Sequence, residues 1–440
     1  MTEWYAGLSA CPMIELSLLP TQRVFTPLLL LSAMFRPLAC LLILFTTGTI
    51  PAAELLVLPE GRTMGTTYHV TLAAAELPGA TELQQELDKL LAELNRQMST
   101  YDPESELSRF NRSSETTPFP VSAATAKVVA RALEIAELSE GAFDPTVGPL
   151  VRLWGFGSAG RRKTLPTTEE IEELRTHVGY QRIGVQLDPP ALLKSDPRCE
   201  LDLSAIAKGY GVDVLAEHLQ TQPGVTGYMV EIGGEVRTWG TKPDGTNWNL
   251  GIEQPDPATR DIGFTIRLYD EALATSGDYR NYQELDGVRV SHTIDPQTGR
   301  PITHNLASVS VLAADCMTAD AWATALNVLG KEAALVLAEQ QQLAVLLISR
   351  EAQGFVTSIS TAAQDRFQTF GTPPGAAKAA ESGPPLWFNL LAALAVFGIA
   401  VCGMAIGVII SNRRLRGSCG GTGGESACSL CSKPKEDCDE

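Results

Sequence analysis

An uncharged stretch of 25 residues, from Leu386 to Ile410, constrains the fold of this chain more than any other feature. As a helix it would be about 37 Å long, which is enough to cross the hydrocarbon core of a bilayer. Arginines follow at once, at 413, 414 and 416, whereas residues 371–385 carry one lysine and one glutamate. Because cytoplasmic flanks hold the excess of Lys and Arg, we expect the C-terminus in the cytoplasm and the large region before the helix outside it.

A second apolar block near the N-terminus agrees with export of that region. Read from Met34, Arg36 supplies the positive start, residues 38–45 the apolar run and residues 51–53 a small-residue exit, the pattern of a secretory signal. Translation from Met34 is therefore an alternative to translation from Met1. A longer uncleaved signal anchor stays open, as does a lipoprotein modified at Cys40, although the apolar run continues past Cys40.

These blocks divide the chain into five parts. We predict an N-terminal extension with a signal peptide over 1–53, an exported domain over 54–371, a linker over 372–385, one transmembrane helix over 386–410 and a cytoplasmic cysteine-rich tail over 411–440. The exported domain mixes strand and helix patterns without a strict alternation, which indicates an α+β fold. The formal charge of −17 argues against a nucleic-acid partner, because phosphate contacts need concentrated Lys and Arg.

The nine cysteines are unevenly distributed. Between Glu54 and Pro385 the chain has only Cys199 and Cys316, whose pairing the sequence leaves open. The tail carries a cluster formed by Cys419, Cys428, Cys431 and Cys438. In a reducing compartment such a cluster is typical of metal or iron–sulfur handling rather than of disulfides.

The residues from 291 to 329 contain the densest polar chemistry of the exported domain. His292 stands on an extended run, and Asp320 and Thr324 lie four residues apart in an alanine-rich helical pattern, so their oxygens leave the same face. A carboxylate and a hydroxyl placed in this way can hold Mg²⁺. The structural alternative is an Asp favoured by the helix dipole and a Thr bonded to a carbonyl one turn back.

A second dense stretch runs from 200 to 213. Asp202 ends an extended segment, and small residues then lead into a helix near Lys208. Small side chains let a ligand approach the backbone closely, and the lysine supplies a charge for a phosphate. The chain contains neither a Rossmann fingerprint nor a P-loop. Tyr101, in a polar loop, suits either a stacking platform or a lid on the core, and the core position is the commoner one for an isolated Tyr.

Eight motifs occur in the order and spacing of one known family: MGTTY, STYDPESELSRFN, GAFDPTVGPLVRLWGFG, DLSAIAKGYGVD, EIGGEVRTWG, ATSGDYRNY, SHTIDPQTGRPI and TADAWATAL. Over residues 55–371 the chain resembles the ApbE family, the FAD:protein FMN transferases. The resemblance implies a bilobed α+β domain that binds FAD in a cleft and, with Mg²⁺, transfers FMN to a threonine of an acceptor protein with release of AMP.

The resemblance also implies the residues of the site. The metal would contact the carbonyl of Ala205 together with Asp320 and Thr324. The FAD contacts would fall on Met64, Tyr101, Ala142, Phe143, Asp144, Asp202, Lys208 and Ile294. His292 is the natural candidate for the base that accepts the threonine proton, since its ordinary pKa is near about 6.5; the alternative is a strand histidine bonded in the core.

The tail resembles a second family, NqrM, the membrane-anchored maturation factor of the Na⁺-translocating NADH:quinone reductase. The likeness rests on one transmembrane helix followed by the sequence GSCGG and further cysteines. It implies iron delivery by the tail, with zinc as an alternative for Cys428 and Cys431. The fusion leads to the hypothesis that both halves mature that reductase at a bacterial inner membrane, with the catalytic domain in the periplasm. For the domain itself, hydrolysis of FAD to FMN and AMP, or flavin binding without catalysis, are the rival functions.

Overall fold

The computed structural model describes residues 53–75, 79–157, 160–256, 261–277 and 281–370. All of them belong to one compact unit. The predicted signal peptide, transmembrane helix and cysteine tail lie outside the described residues. Within the described ranges, no helix combines the length and the apolar character needed to cross a membrane.

A large antiparallel sheet forms the centre of this unit. Its strands are β1 (Glu54–Val57), β2 (Gly61–Thr63), β3 (Thr66–Ala74), β7 (Val225–Ile232), β8 (Glu235–Gly240), β11 (Ala272–Gly277), β16 (Leu306–Ala313), β17 (Ala344–Glu351) and β18 (Gly354–Ile359). They pair in the order β1, β3, β7, β8, β11, β16, β17, β18, and β2 pairs with β3.

Smaller sheets surround it. Their strands are β4 (Phe119–Pro120), β5 (Ile183–Leu187), β6 (Pro190–Lys194), β9 (Trp248–Glu253), β10 (Ile262–Leu268), β12 (Tyr282–Leu285), β13 (Val288–Ser291), β14 (Ile294–Asp295), β15 (Arg300–Pro301) and β19 (Phe367–Thr369). One sheet is built from β19, β10 and β9, one from β4, β6 and β5, and two are the pairs β12–β13 and β14–β15.

Helices cover one face of the large sheet. In chain order the helices are α1 (Ala80–Met98), α2 (Glu106–Arg112), α3 (Ala123–Leu138), α4 (Gly148–Leu153), α5 (Thr168–Arg175), α6 (Ala207–Gln220), α7 (Cys316–Leu329) and α8 (Lys331–Gln340). Apolar residues of α1, α3, α6 and α7 form one core with the sheet. Residues of β9, β10 and β19 form a second core with alternate residues of β11, β16 and β17, on the opposite face of the sheet. This combination of helices with a mainly antiparallel sheet confirms the predicted α+β class.

Local sequence patterns account for the burial of α1 and for the start of α5. The leucine stripe of α1 is buried, including Leu83, Leu87 and Leu91. Thr167 and Glu170 form the capping box at the start of α5. Burying a leucine side chain contributes about 2 kcal/mol, so the stripe holds α1 on the sheet.

Strand β16 is buried on both faces, although its sequence alternates apolar and small polar residues. Every residue from Leu306 to Leu312 is buried, including Ser308 and Ser310. The strand pairs with β11 on one side and β17 on the other, and both faces of the sheet are covered at this point. The Ser310 hydroxyl is accommodated by a 2.8 Å hydrogen bond between its Oγ and Thr275 Oγ1.

Candidate active-site cleft

A cavity of about 610 Å³ opens between the loops that precede α4 and α6, strand β11 and helix α7. This volume lies in the range of small-molecule sites. Eleven of the twelve residues predicted for catalysis, FAD and Mg²⁺ line the cavity: Tyr101, Ala142, Phe143, Asp144, Asp202, Ala205, Lys208, His292, Ile294, Asp320 and Thr324. The remaining one, Met64, is not part of the lining; it occupies the turn between β2 and β3 with a left-handed φ of 48°.

An ionic cluster lies where α6 meets α7. Lys208 Nζ is 3.3 Å from Oδ1 and 3.4 Å from Oδ2 of Asp320, and 3.0 Å from Oε1 of Glu235. The backbone N–H of Gly209 donates a 3.1 Å hydrogen bond to Oδ2 of Asp320. Asp320 is thus held at the cleft wall by α6 and at the same time carried by α7.

The cluster contains two carboxyl groups and one ammonium group. Burial alone lowers the pKa of Lys208, but the Asp320 and Glu235 carboxylates outweigh it, and the net shift is upward. Burial raises the pKa of Glu235 even though the Lys208 charge opposes this shift. Lys208 is therefore a permanent positive charge in the cleft.

Helices α6 and α7 cross at close range because of one glycine and one aspartate. A Cβ on Gly209 would collide with the carbonyl of Cys316 and would lie 2.8 Å from Cα of Met317. Asp213, one turn further along α6, accepts 2.9 Å hydrogen bonds from the backbone N–H groups of Cys316 and Met317. A carboxylate at these N–H groups is favoured by the helix dipole of α7, so α6 caps the start of α7.

The first turn of α7 also separates two interpretations of Asp320. The N-cap of α7 is Asp315, whose side chain accepts a hydrogen bond from the Thr318 N–H. Asp320 lies beyond that first turn, 4% exposed, and faces Lys208 rather than the helix end. The dipole alone therefore does not explain its presence in this position.

His292 follows β13 at the other side of the cavity. Its Nδ1 lies 3.0 Å from the carbonyl oxygen of Asn281, and Phe156 packs edge-on with ring centroids 6.3 Å apart. Because a carbonyl only accepts, the proton of the neutral imidazole belongs on Nδ1 and the lone pair on Nε2. The ring lines the cavity. The alternative interpretation, a strand histidine bonded in the core, therefore does not apply to His292.

The loop before α4 is fixed by its own carboxylate. Asp144 accepts hydrogen bonds from Thr146 N–H at 2.8 Å and Thr146 Oγ1 at 2.6 Å through Oδ1, and from Tyr180 N–H at 2.9 Å through Oδ2. Burial raises the pKa of Asp144, and these bonds oppose the shift. The Asp202 N–H donates to the Pro145 carbonyl at 2.7 Å, which joins this loop to the segment that leads into α6.

Tyr101 lies at the rim of the cavity. The residue is 70% exposed, so the expectation that it covers the core is wrong. Its loop is turned outward by Ser99, whose hydroxyl accepts hydrogen bonds from the N–H groups of Tyr101 and Asp102 at 3.1 Å. An exposed ring beside a cavity offers a face on which a planar ligand can stack.

The oxygen donors predicted for Mg²⁺ share the cavity. Ala205, Asp320 and Thr324 all line it, and a carbonyl, a carboxylate and a hydroxyl are hard donors of the kind that Mg²⁺ prefers. The described part of the chain contains no group of three His, Cys, Asp or Glu residues arranged for a metal. A Mg²⁺ ion at Asp320 would have one carboxylate and neutral oxygens as its protein ligands. The donors fit the ion, and Asp320 would share its charge between the ion and Lys208.

The structure describes the two cysteines of the exported domain but not the four cysteines of the tail. Cys199 and Cys316 are free, buried thiols, and burial raises the pKa of the Cys199 thiol to about 12. They are structural side chains of the core. The four tail cysteines, Cys419, Cys428, Cys431 and Cys438, lie outside the described residues.

Sequence reasoning did not assign roles to Glu235 and Asp213. Glu235 directly follows the turn Gly233-Gly234, whose φ values are 61° and 105°, and this glycine pair joins β7 to β8. Asp213 is the last residue of the motif DLSAIAKGYGVD. The acidic residue types at 235 and 213 were the only signal in the sequence for these roles. Their partners lie far away in the sequence, so the pairings could not be predicted from it.

Comparison with known proteins places these features in one family. The ApbE family profile matches residues 64–347. An FAD:protein FMN transferase of Vibrio cholerae is 49% identical over 299 residues, which are 67% of this chain and 88% of that protein. The FAD:protein FMN transferase of Haemophilus influenzae is 46% identical over 309 residues, 69% of this chain and 89% of its own. The solved flavin transferase ApbE from Vibrio cholerae has a TM-score of 0.65 at 46% identity and covers 71% of this chain and 99% of its own.

Proposed function

We propose a mechanism from the premise that this chain belongs to the ApbE family and is an FAD:protein FMN transferase. The cleft binds FAD in the presence of Mg²⁺ and moves the FMN half onto a threonine hydroxyl of an acceptor protein. The observation that carries this proposal is the convergence of His292, Lys208, Asp320 and Thr324 on one cavity, although they come from three separate segments of the chain. A charge for phosphate, a base and oxygen donors for a cation are the parts that phosphoryl transfer needs.

The bond changes are those of an in-line displacement. The threonine oxygen attacks the phosphorus of the FMN half, and a phosphoester bond forms between them. The bond from that phosphorus to the bridging pyrophosphate oxygen breaks, and AMP leaves with the electron pair. The threonine proton passes to Nε2 of His292, because Nδ1 already donates its proton to Asn281.

Lys208 stabilises the negative charge that spreads over the phosphoryl oxygens. Its ammonium group is a point charge fixed between two carboxylates, and it needs no reorganisation when the charge develops. Mg²⁺ bound by Ala205, Asp320 and Thr324 would supply further neutralisation of the pyrophosphate. Tyr101 at the rim provides the stacking face for a ring of FAD, and the hydrogen bonds of Asp144 keep the loop carrying Ala142 and Phe143 against the ligand.

The acceptor and the location belong to the same proposal. The uncharged stretch 386–410 with its following arginines supports a single transmembrane helix in a bacterial inner membrane, a periplasmic catalytic domain and a cytoplasmic tail. The tail cysteines support iron delivery to the Na⁺-translocating NADH:quinone reductase, whose subunits are then the proposed acceptors. Deleting residues 411–440 should spare flavin transfer yet reduce assembled reductase, and unchanged reductase activity would contradict the role of the tail.

The experiment for the transferase function incubates the full chain with FAD, Mg²⁺ and an acceptor fragment from a subunit of that reductase. The products separate the three candidate functions. Acceptor that stays fluorescent on a denaturing gel supports transfer. Free FMN with unmodified acceptor supports hydrolysis, and FAD that binds but stays intact supports a flavin carrier.

A further inference from the structure

Glu235 is a buried carboxylate with an incomplete set of partners. It is 4% exposed and lines the cleft, at the start of β8. Oε1 lies 3.0 Å from Lys208 Nζ, whereas Oε2 is buried and has no hydrogen-bond partner among the described residues. A buried carboxylate oxygen without a partner is costly, so packing alone does not explain a glutamate here.

Lys208 has two carboxylate partners, and only one of them is also a proposed ligand of Mg²⁺. Asp320 is the carboxylate proposed to bind Mg²⁺, and it also receives the Gly209 N–H. A cation at Asp320 repels the ammonium group and weakens that ion pair. Glu235 lies on β8, and among the described residues it is the other carboxylate within ion-pair distance of Nζ.

We propose that Glu235 is a positioning residue for Lys208. Glu235 keeps the Lys208 ammonium group at the pyrophosphate position when a cation binds to Asp320. The inference rests on the proposed function, because it assigns Lys208 to phosphate and Asp320 to the cation. Without the Glu235 charge, Lys208 pairs with Asp320 alone and competes with Mg²⁺ for it. Glu235 therefore allows Lys208 and Mg²⁺ to occupy the cleft together.

The test uses Glu235→Gln in the full chain, since glutamine keeps the shape and removes the charge. Two readouts are measured against Mg²⁺ concentration: the rise in melting temperature and the rate of FMN transfer at saturating FAD. We expect the Mg²⁺ concentration that gives half of the maximal effect to rise about tenfold in both readouts, because the variant loses one charge-assisted contact. KM for FAD should change less than about threefold.

The matched control is Glu231→Gln. Glu231 belongs to the same hairpin, where its carboxylate contacts His69 and the Gly234 N–H, but it does not line the cleft. We expect its Mg²⁺ dependence to stay within about twofold of wild type. An equal shift in Glu231→Gln would mean that the turn, and not the Glu235 charge, controls the cation, and this would overturn the proposal.

A double-mutant cycle separates positioning of Lys208 from a direct effect of Glu235 on the cation. In a Lys208→Met background, Glu235→Gln should move the Mg²⁺ midpoint by less than about twofold. A tenfold shift that persists without Lys208 contradicts the proposal. If Glu235→Gln does not fold, Glu235→Asp keeps the charge on a shorter side chain and should raise the midpoint by about threefold, and a wild-type midpoint in that variant counts against it.

Different results would contradict the proposed function and the role of Glu235. If the wild-type chain forms no flavinylated acceptor, the proposed function is wrong. If the wild type transfers FMN and Glu235→Gln has the wild-type Mg²⁺ dependence, only the role of Glu235 is wrong.

Discussion

The carboxylate of Asp213 in α6 accepts a 2.9 Å hydrogen bond from the backbone N–H of Cys316 at the start of α7. The same carboxylate receives the Met317 N–H at 2.9 Å and pairs with Arg237 at 2.7 Å. The two helices that carry Lys208 and Asp320 are thus joined one turn away from the ion pair. The position of Lys208 relative to Asp320 therefore depends on this junction.

Asp213→Ala is expected to lower the free energy of unfolding by about 3 kcal/mol, because it leaves two buried N–H groups and Arg237 without their acceptor. Urea unfolding of the full chain measures the change. The control is Asp244→Ala, which removes an exposed carboxylate bonded only within its own turn to Thr246 and should cost less than about 1 kcal/mol. Equal stability of the two variants would show that the junction contributes nothing.

Gly209→Ala should destabilise the protein by more than about 2 kcal/mol, because the new Cβ meets rigid backbone of α7. The matched control lies two residues further along. At Gly211 a Cβ would be 3.2 Å from Ile232 Cδ1 and 3.3 Å from Met64 Cε, the movable ends of side chains, so Gly211→Ala should cost less than about 1 kcal/mol. Thermal melting of both variants checks the contrast, and a smaller loss at 209 than at 211 would be inconsistent with the close crossing of α6 and α7.

His292→Asn should retain FAD binding and reduce the transfer rate ~100-fold or more, since it removes the base that accepts the threonine proton. Quenching of flavin fluorescence measures binding, and covalent flavin on the acceptor measures transfer. His218→Asn is the control, because His218 pairs with Glu86 at the surface of α6 and does not line the cleft. Near-normal turnover of His292→Asn would remove the base assignment.

The contribution of His69 to stability should depend on pH. The hydrogen bond to the Glu231 carboxylate raises the pKa of His69 above its ordinary 6.5, burial opposes the shift, and Glu60 adds to it. The protonated form is the stabilised one, so the contribution is fully present below 6.5 and is lost as pH rises through the raised value.

Because the His69 side chain is 49% exposed, solvent screening limits the effect to ~0.5 kcal/mol. Urea midpoints of wild type and His69→Gln should differ near pH ~5.5 and agree near pH ~9. A difference that is the same at both pH values would contradict this assignment.

Local patterns in the sequence predicted much of the fold and the cleft. The leucine stripe of α1, the capping box of α5 and the positions of Asp320 and Thr324 on α7 each depend on neighbours within about one or two helical turns. The family motifs gave the lining residues, because short segments rich in Gly, Pro and Asp form the loops that face the cavity. Such signals need no knowledge of long-range packing.

The pairings across the chain could not be predicted in this way. Lys208 and Asp320 are 112 residues apart, and Asp213 and Cys316 are 103 apart. No local periodicity encodes which carboxylate meets which ammonium or N–H group. The same limitation explains Tyr101 and β16, since their exposure is determined by distant elements that do or do not cover them.

The most direct test of the central claim is the stoichiometry of transfer by the full chain. With FAD, Mg²⁺ and the acceptor fragment, AMP in solution and flavin covalently bound to the acceptor threonine should appear in equal amounts, and chelation of Mg²⁺ should stop both. AMP released together with free FMN, with no flavin retained on the denatured acceptor, would contradict the assignment of this cleft to FMN transfer.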